Sequence, residues 1–145
     1  MDVPLQNADQ LNGLQPGVPV VISVCITCRA GASNDAPRPG VQLCDELNRM
    51  FEGQAQQVLV RSVQCLGVCK RPATVAVSAS NGYTFVFGDL DPQNGPAAIA
   101  EFARAFRTAD YGFVPWAQRP ETLRTRLVAR IPAVTWSPAD GRLPG

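Results

Sequence analysis

The sequence predicts a small α/β domain with the element order β-α-β-β-β-α. Three observations predict it. Two Val/Ile-rich runs, residues 18–24 and 57–63, flank one helical pattern. Two further β-rich runs are joined across Asn81-Gly82, and an amphipathic helix follows them. The 145 residues suit one domain with an appendage, and 46% hydrophobic content allows a real core.

In chain order, residues 1–17 are polar, close on Gln15-Pro16-Gly17, and read as a loosely held arm. Residues 18–24 read as a buried strand, with Cys25-Ile26-Thr27-Cys28-Arg29 at its C-terminal end. The stretch 30–40 is rich in Gly, Ala, Ser, Asn, Asp and Pro, which is loop chemistry. A helix is predicted over about 41–52 because Val41, Cys44, Leu47 and Phe51 recur at helical spacing between Pro39-Gly40 and Gly53. The second strand, about 57–63, runs into Gln64-Cys65-Leu66-Gly67-Val68-Cys69-Lys70-Arg71-Pro72, a turn-like segment.

Residues 74–78 and 83–87 form the predicted hairpin, since Asn and Gly tolerate the positive φ of a tight turn. Residues 96–108 place Ile99, Phe102, Ala103 and Phe106 on one helical face. A β-α-β unit crosses over right-handedly, so the first two strands should be parallel neighbours. The whole order is thioredoxin-like topology, assigned to residues 18–110. Residues 111–145 form an extension with a short Arg-rich helix over 120–130, opened by Pro120 and marked by Leu123, Leu127 and Ile131. Trp116 is expected to pack that helix against the domain. Arg119, Arg126 and Arg130 share one of its sides by spacing, as a solvated face or a docking or anion-binding one.

Composition narrows the function. A net charge of +1 argues against a dedicated nucleic-acid binder. The apolar run 18–24 is far too short to span a bilayer. No basic residue precedes Arg29, so no secretory signal is expected, and the expectation is a cytoplasmic protein without a membrane role. The five cysteines form an odd number, which in a reducing compartment favours metal or redox chemistry over a disulfide framework. The absence of histidine removes His-ligated haem, Rieske-type clusters and every imidazole-dependent catalytic triad. No paired carboxylates suggest acid–base catalysis, so an enzyme is not expected.

Cys25 and Cys28 trail the first strand, and Cys65 and Cys69 trail the second. Parallel neighbours would deliver both pairs to one edge of the sheet, where α/β folds open their ligand sites. Four thiolates suit a [2Fe–2S] cluster, two per iron, or a tetrahedral Zn²⁺. Zinc knuckles usually repeat Cys-x2-Cys, which the Cys65-to-Cys69 step fits less well. Gly67 would let backbone amides approach a cluster's inorganic sulfides, and Arg29, Lys70 and Arg71 flank the ligands. A thiol–disulfide site is the alternative suggested by Cys25-x-x-Cys28 and by Pro72 before a strand. It leaves Cys65 and Cys69 unexplained, and a reactive thiol of that type opens a helix. Cys44, on the apolar face of the first helix, is read as a core thiol and not as a ligand.

The paired Cys-x2-Cys and Cys-x3-Cys on this topology resemble thioredoxin-like [2Fe–2S] ferredoxins. More specifically, Cys25-Ile26-Thr27-Cys28-Arg29, Cys65-Leu66-Gly67-Val68-Cys69, Phe87-Gly88-Asp89-Leu90 and the stretch from Trp116 to Pro132 resemble the bacterial family known as domain of unknown function 1636, predicted metal-binding proteins. That resemblance implies a metal site at Cys25, Cys28, Cys65 and Cys69 and one-electron transfer to a redox partner protein. Family members often lie near cobalamin-synthesis genes, which implies a setting in cobalamin or metal-cofactor metabolism. Thioredoxin-like ferredoxins are often dimers, which implies a homodimer, although the sequence shows no self-complementary patch. A non-catalytic metal-binding module for sensing or delivery is the alternative role.

Overall fold

The structure is a computed structural model that describes residues 19–27, 38–68, 71, 73–80 and 82–134. Cys28, Arg29, Cys69, Lys70, Pro72 and Trp136 lie outside the described residues, as do the N-terminal arm and Asn81 of the hairpin turn. Five strands form one sheet in the order β2-β1-β3-β4-β5: β1 Val20–Cys25, β2 Val58–Val63, β3 Val75–Ser78, β4 Thr84–Phe87 and β5 Leu127–Ile131. The two long helices are α1, Pro39–Met50, and α2, Gly95–Thr108. The first six elements follow the expected order, and their bounds lie within two residues of those read from the pattern.

β1 and β2 are parallel, in register from Val20 opposite Val58 to Cys25 opposite Val63. β3 runs antiparallel to β1, and β4 antiparallel to β3. Alternation along the strands sends Val20, Ile22, Val24, Val75, Val77, Phe85 and Phe87 into the core, all fully buried. α1 and α2 pack against each other and both contact β1, so they cover the same face of the sheet. α2 contributes Ile99, Phe102, Ala103 and Phe106, as its spacing predicted. Phe102 meets Phe85 and Phe87 edge-on, with ring centroids 5.0 Å apart in each pair.

The buried stripe of α1 is rotated from the expected one. Val41 is exposed, and the stripe is Gly40, Leu43, Cys44 and Leu47, continued by Phe51 beyond the helix end. Gly40 replaces Val41 because the helix meets the end of β1 too closely for a side chain. A Cβ on Gly40 would stand 1.8 Å from the carbonyl oxygen of Cys25.

The tail differs from the expected helix. Where periodicity predicted a helix over 120–130, the chain makes a single 3-10 turn at Glu121–Leu123 and then the strand β5. β5 pairs antiparallel with β4, from Thr84 opposite Ile131 to Phe87 opposite Leu127, with an irregularity at Val86/Phe87. A helix here would leave the β4 edge unpaired beside a buried aromatic cluster. Pairing satisfies those backbone groups, and the β-branched Val128 and Ile131 suit a strand. Trp116 is 59% exposed and does not pack a helix onto the domain. Instead the guanidinium carbon of Arg124 sits 4.7 Å from its ring centre, and Arg124 donates to the carbonyls of Trp116 and Ala117. No helix among the described residues is long and apolar enough to cross a membrane.

Candidate metal centre

The parallel register brings the two cysteine segments together. Cys25 is the last residue of β1 and lies opposite Val63; Cys65 follows two residues beyond Val63. The backbone amide of Ile26 donates to the carbonyl of Val63 at 3.0 Å, so the two segments continue side by side past the strand ends. The Cys25 Sγ lies 3.6 Å from the carbonyl oxygen of Gln64, the residue before Cys65. Thr27 closes the arrangement: its hydroxyl donates to the same Gln64 carbonyl, and its Oγ1 is 3.8 Å from the Cys25 Sγ.

The first segment is fixed by the core. Cys25 is 0% exposed, and its amide donates to the carbonyl of Thr74 at 3.0 Å. The N-terminus of α1 abuts it through Gly40, and the Arg38 side chain donates to the carbonyl of Thr27 at 3.2 Å. The first turn of α1 carries no acidic residue and no side-chain cap. Its positive dipole end lies against the Cys25 backbone carbonyl.

The second segment is exposed and held by its backbone. Gly67 has φ +79°, in the left-handed region that suits glycine, and its amide donates to the Cys65 Sγ at 3.2 Å. This hydrogen bond holds the Cys65 sulfur against the glycine turn. Further along, Arg71 anchors the segment to the β4 end. Its carbonyl accepts from the amide of Asp89 at 2.9 Å, and its Nε donates to Asp89 Oδ2 at 2.7 Å. Asp89 adopts φ +57°, and a Cβ on Gly88 would stand 2.8 Å from the Arg71 carbonyl. Phe87-Gly88-Asp89-Leu90 is thus a brace for the segment that follows the second cysteine pair. Its role was not legible as chemistry, because Asp89 reads in isolation as an ordinary turn residue.

The four candidate ligands are all cysteines, a donor set that would suit a thiolate-ligated metal. Two of the four candidate thiols, those of Cys25 and Cys65, fall within the described residues, and their segments share one sheet edge. Cys28 and Cys69 lie outside the described residues, and no group of three ligating side chains occurs among the described residues. Cys44 lies in the core, with its thiol pKa pushed up by burial and by Asp45, while the Asn48 amide 3.6 Å away opposes the rise. That environment keeps a thiol protonated and does not favour ligation. Cys25 ends a strand and does not open a helix, unlike the low-pKa cysteine of a dithiol site. Gly40 is the residue the sequence reading undervalued. Its place one turn before Cys44 on the stripe of Leu47 and Phe51 was the available signal.

A search of curated proteins finds no significant match. Among solved structures, the chain is similar to the wild-type thioredoxin-like [2Fe–2S] ferredoxin from Aquifex aeolicus, with 11% identity and a TM-score of 0.50. The match covers 77% of this chain and 97% of that one; at this identity it establishes the fold, which is thioredoxin-like. The family model described as "Protein of unknown function (DUF1636)" matches residues 22–133, a span that runs from β1 through β5. The chain belongs to that family.

Proposed function

We propose that the protein binds a [2Fe–2S] cluster through Cys25, Cys28, Cys65 and Cys69 and carries single electrons to a redox partner protein. The observation that carries this reading is the parallel β1–β2 register, which sets the Cys25 and Cys65 segments side by side at one sheet edge. The fold shared with a ferredoxin that bears such a cluster supports it. When bound, the cluster would accept and release one electron. The chain's own part is to hold it. Cys25 offers a core-anchored sulfur, the Gly67 amide donates to the Cys65 sulfur, and the α1 N-terminus lies against the Cys25 carbonyl. The ion pair with Asp89 partly cancels the charge of Arg71, so Arg71 tunes the site less than its position in the sequence suggested.

The test is an anaerobic absorbance spectrum with iron, sulfide and zinc assays, followed by a reductive titration. The reading requires stoichiometric iron and sulfide with reversible one-electron bleaching. Zinc alone, or a colourless protein whose disulfide-reductase activity disappears in Cys25→Ser, would overturn it. Iron and sulfide that are redox-silent or pass readily to an acceptor would replace the carrier role with a delivery module. The setting in cobalamin or metal-cofactor metabolism belongs to the same proposal, and the identity of the reduced partner decides it.

A further inference from the structure

Two arginines lie near each other toward the other edge of the sheet. Arg119 is only 5% exposed, yet it makes no ion pair with a carboxylate among the described residues. Its Nε donates to the carbonyl of Val114 at 2.9 Å, and its guanidinium carbon sits 5.3 Å from the centre of the Phe85 ring. The N–H groups of its two terminal nitrogens have no acceptor among the described residues. A buried guanidinium left in this state is unusual, because buried charges are normally paired.

Arg130 stands beside it. It lies on β5 directly opposite Phe85 on β4, and its guanidinium carbon is 5.0 Å from the centre of the Phe113 ring. The Phe85 and Phe113 rings are 6.2 Å apart, so the two cations cover one aromatic patch. Arg130 is exposed and likewise has no hydrogen-bond or carboxylate partner among the described residues. The proximity is felt electrostatically: burial and the charge of Arg130 both lower the pKa of Arg119. The fold therefore holds two like charges near each other, one buried and one exposed, with no carboxylate paired to either among the described residues.

We propose that Arg119 and Arg130 form a binding site for a phosphate-type oxyanion. Two forked guanidinium groups present N–H donors in the geometry that oxyanions accept. A carboxylate would balance one of the two charges, whereas a phosphate near pH 7 carries close to two. The cation–π contacts hold the forks in place before the anion arrives. The site is separate from the cysteines: β5 is three strands from β1, about 14 Å across the sheet. It does not depend on the identity of the metal centre.

The test titrates the full-length protein with inorganic phosphate, with a phosphomonoester, and with succinate at matched ionic strength. The thermal midpoint and the Arg119 Nε–H cross-peak in proton–nitrogen spectra are followed. Arg130→Gln, on the exposed edge strand, should preserve the fold, which circular dichroism checks. Phosphate or the phosphomonoester should raise the midpoint saturably and move the cross-peak. Arg130→Gln should raise the half-saturating concentration about tenfold or more, as loss of a charged hydrogen bond implies. Saturation by inorganic phosphate identifies a free anion; saturation by the phosphomonoester alone identifies the phosphoryl group of a larger molecule. Equal titrations in wild type and Arg130→Gln, tighter binding of succinate, or no saturable response would overturn the proposal.

Discussion

Cys25 and Cys65 trail neighbouring parallel strands, yet the first is fully buried and the second is exposed. The first is positioned by the hydrophobic core: a strand end, the α1 N-terminus and a Thr74 carbonyl define it. The second is positioned by a glycine turn and by a brace from the β4 end. The difference teaches that the two halves of the site depend on different energies. Faults on the Cys25 side should act through folding. Faults on the Cys65 side should act on the centre and leave the fold standing.

The sharpest way to break this contrast is Gly40→Ala. Its Cβ would overlap the Cys25 carbonyl, so the helix or the strand end must shift. A destabilisation of about 3 kcal/mol or more is expected by chemical denaturation, with loss of bound metal. Gly67→Ala should separate the halves. Nothing lies within 4 Å of the added Cβ, but φ +79° strains it by about 1–2 kcal/mol. The fold should survive in circular dichroism while metal retention falls, because the amide that faces the Cys65 sulfur moves.

Cys44→Ala addresses the core alone. It should cost about 1 kcal/mol for the lost buried sulfur and leave the metal content unchanged. It should also alter the pH profile of stability. The folded thiol is held protonated above its ordinary value of 9.0, so the unfolded chain ionises first as pH rises. Wild-type stability should therefore be complete below that range and fall above it, and this part of the fall should be absent in Cys44→Ala. The smallest effect belongs to Asp89→Asn. Arg71 and Asp89 are both partly exposed, so the lost ion pair should cost about 0.5 kcal/mol and less in high salt. Asparagine still tolerates the left-handed backbone at this position.

Much of this architecture was legible in the chain. The Val-rich runs at β1 and β2, the β-rich runs of the hairpin and the Ile99–Phe106 stripe each carry one period strongly, and each formed as expected. β5 was misread because Leu123, Leu127 and Ile131 are spaced by four, which is also a helical period. Only the vacant edge of β4, a tertiary fact, decides for a strand. Trp116 misled for a related reason: an aromatic near a supposed helix suggests packing, but here it serves as a platform for Arg124. At the site, the spacing of Cys25 and Cys65 past two parallel strands was readable from topology. The supports were not. Gly40 matters through a close approach between elements, and Asp89 through Arg71, eighteen residues away.

Iron-edge X-ray absorption of the anaerobically purified protein tests the central claim most directly. With no histidine in the chain, the account predicts iron ligated by sulfur alone with a second iron as its neighbour. Iron with oxygen ligands and no iron neighbour, or zinc in its place, would contradict a cluster built from the four thiols of the two strand ends.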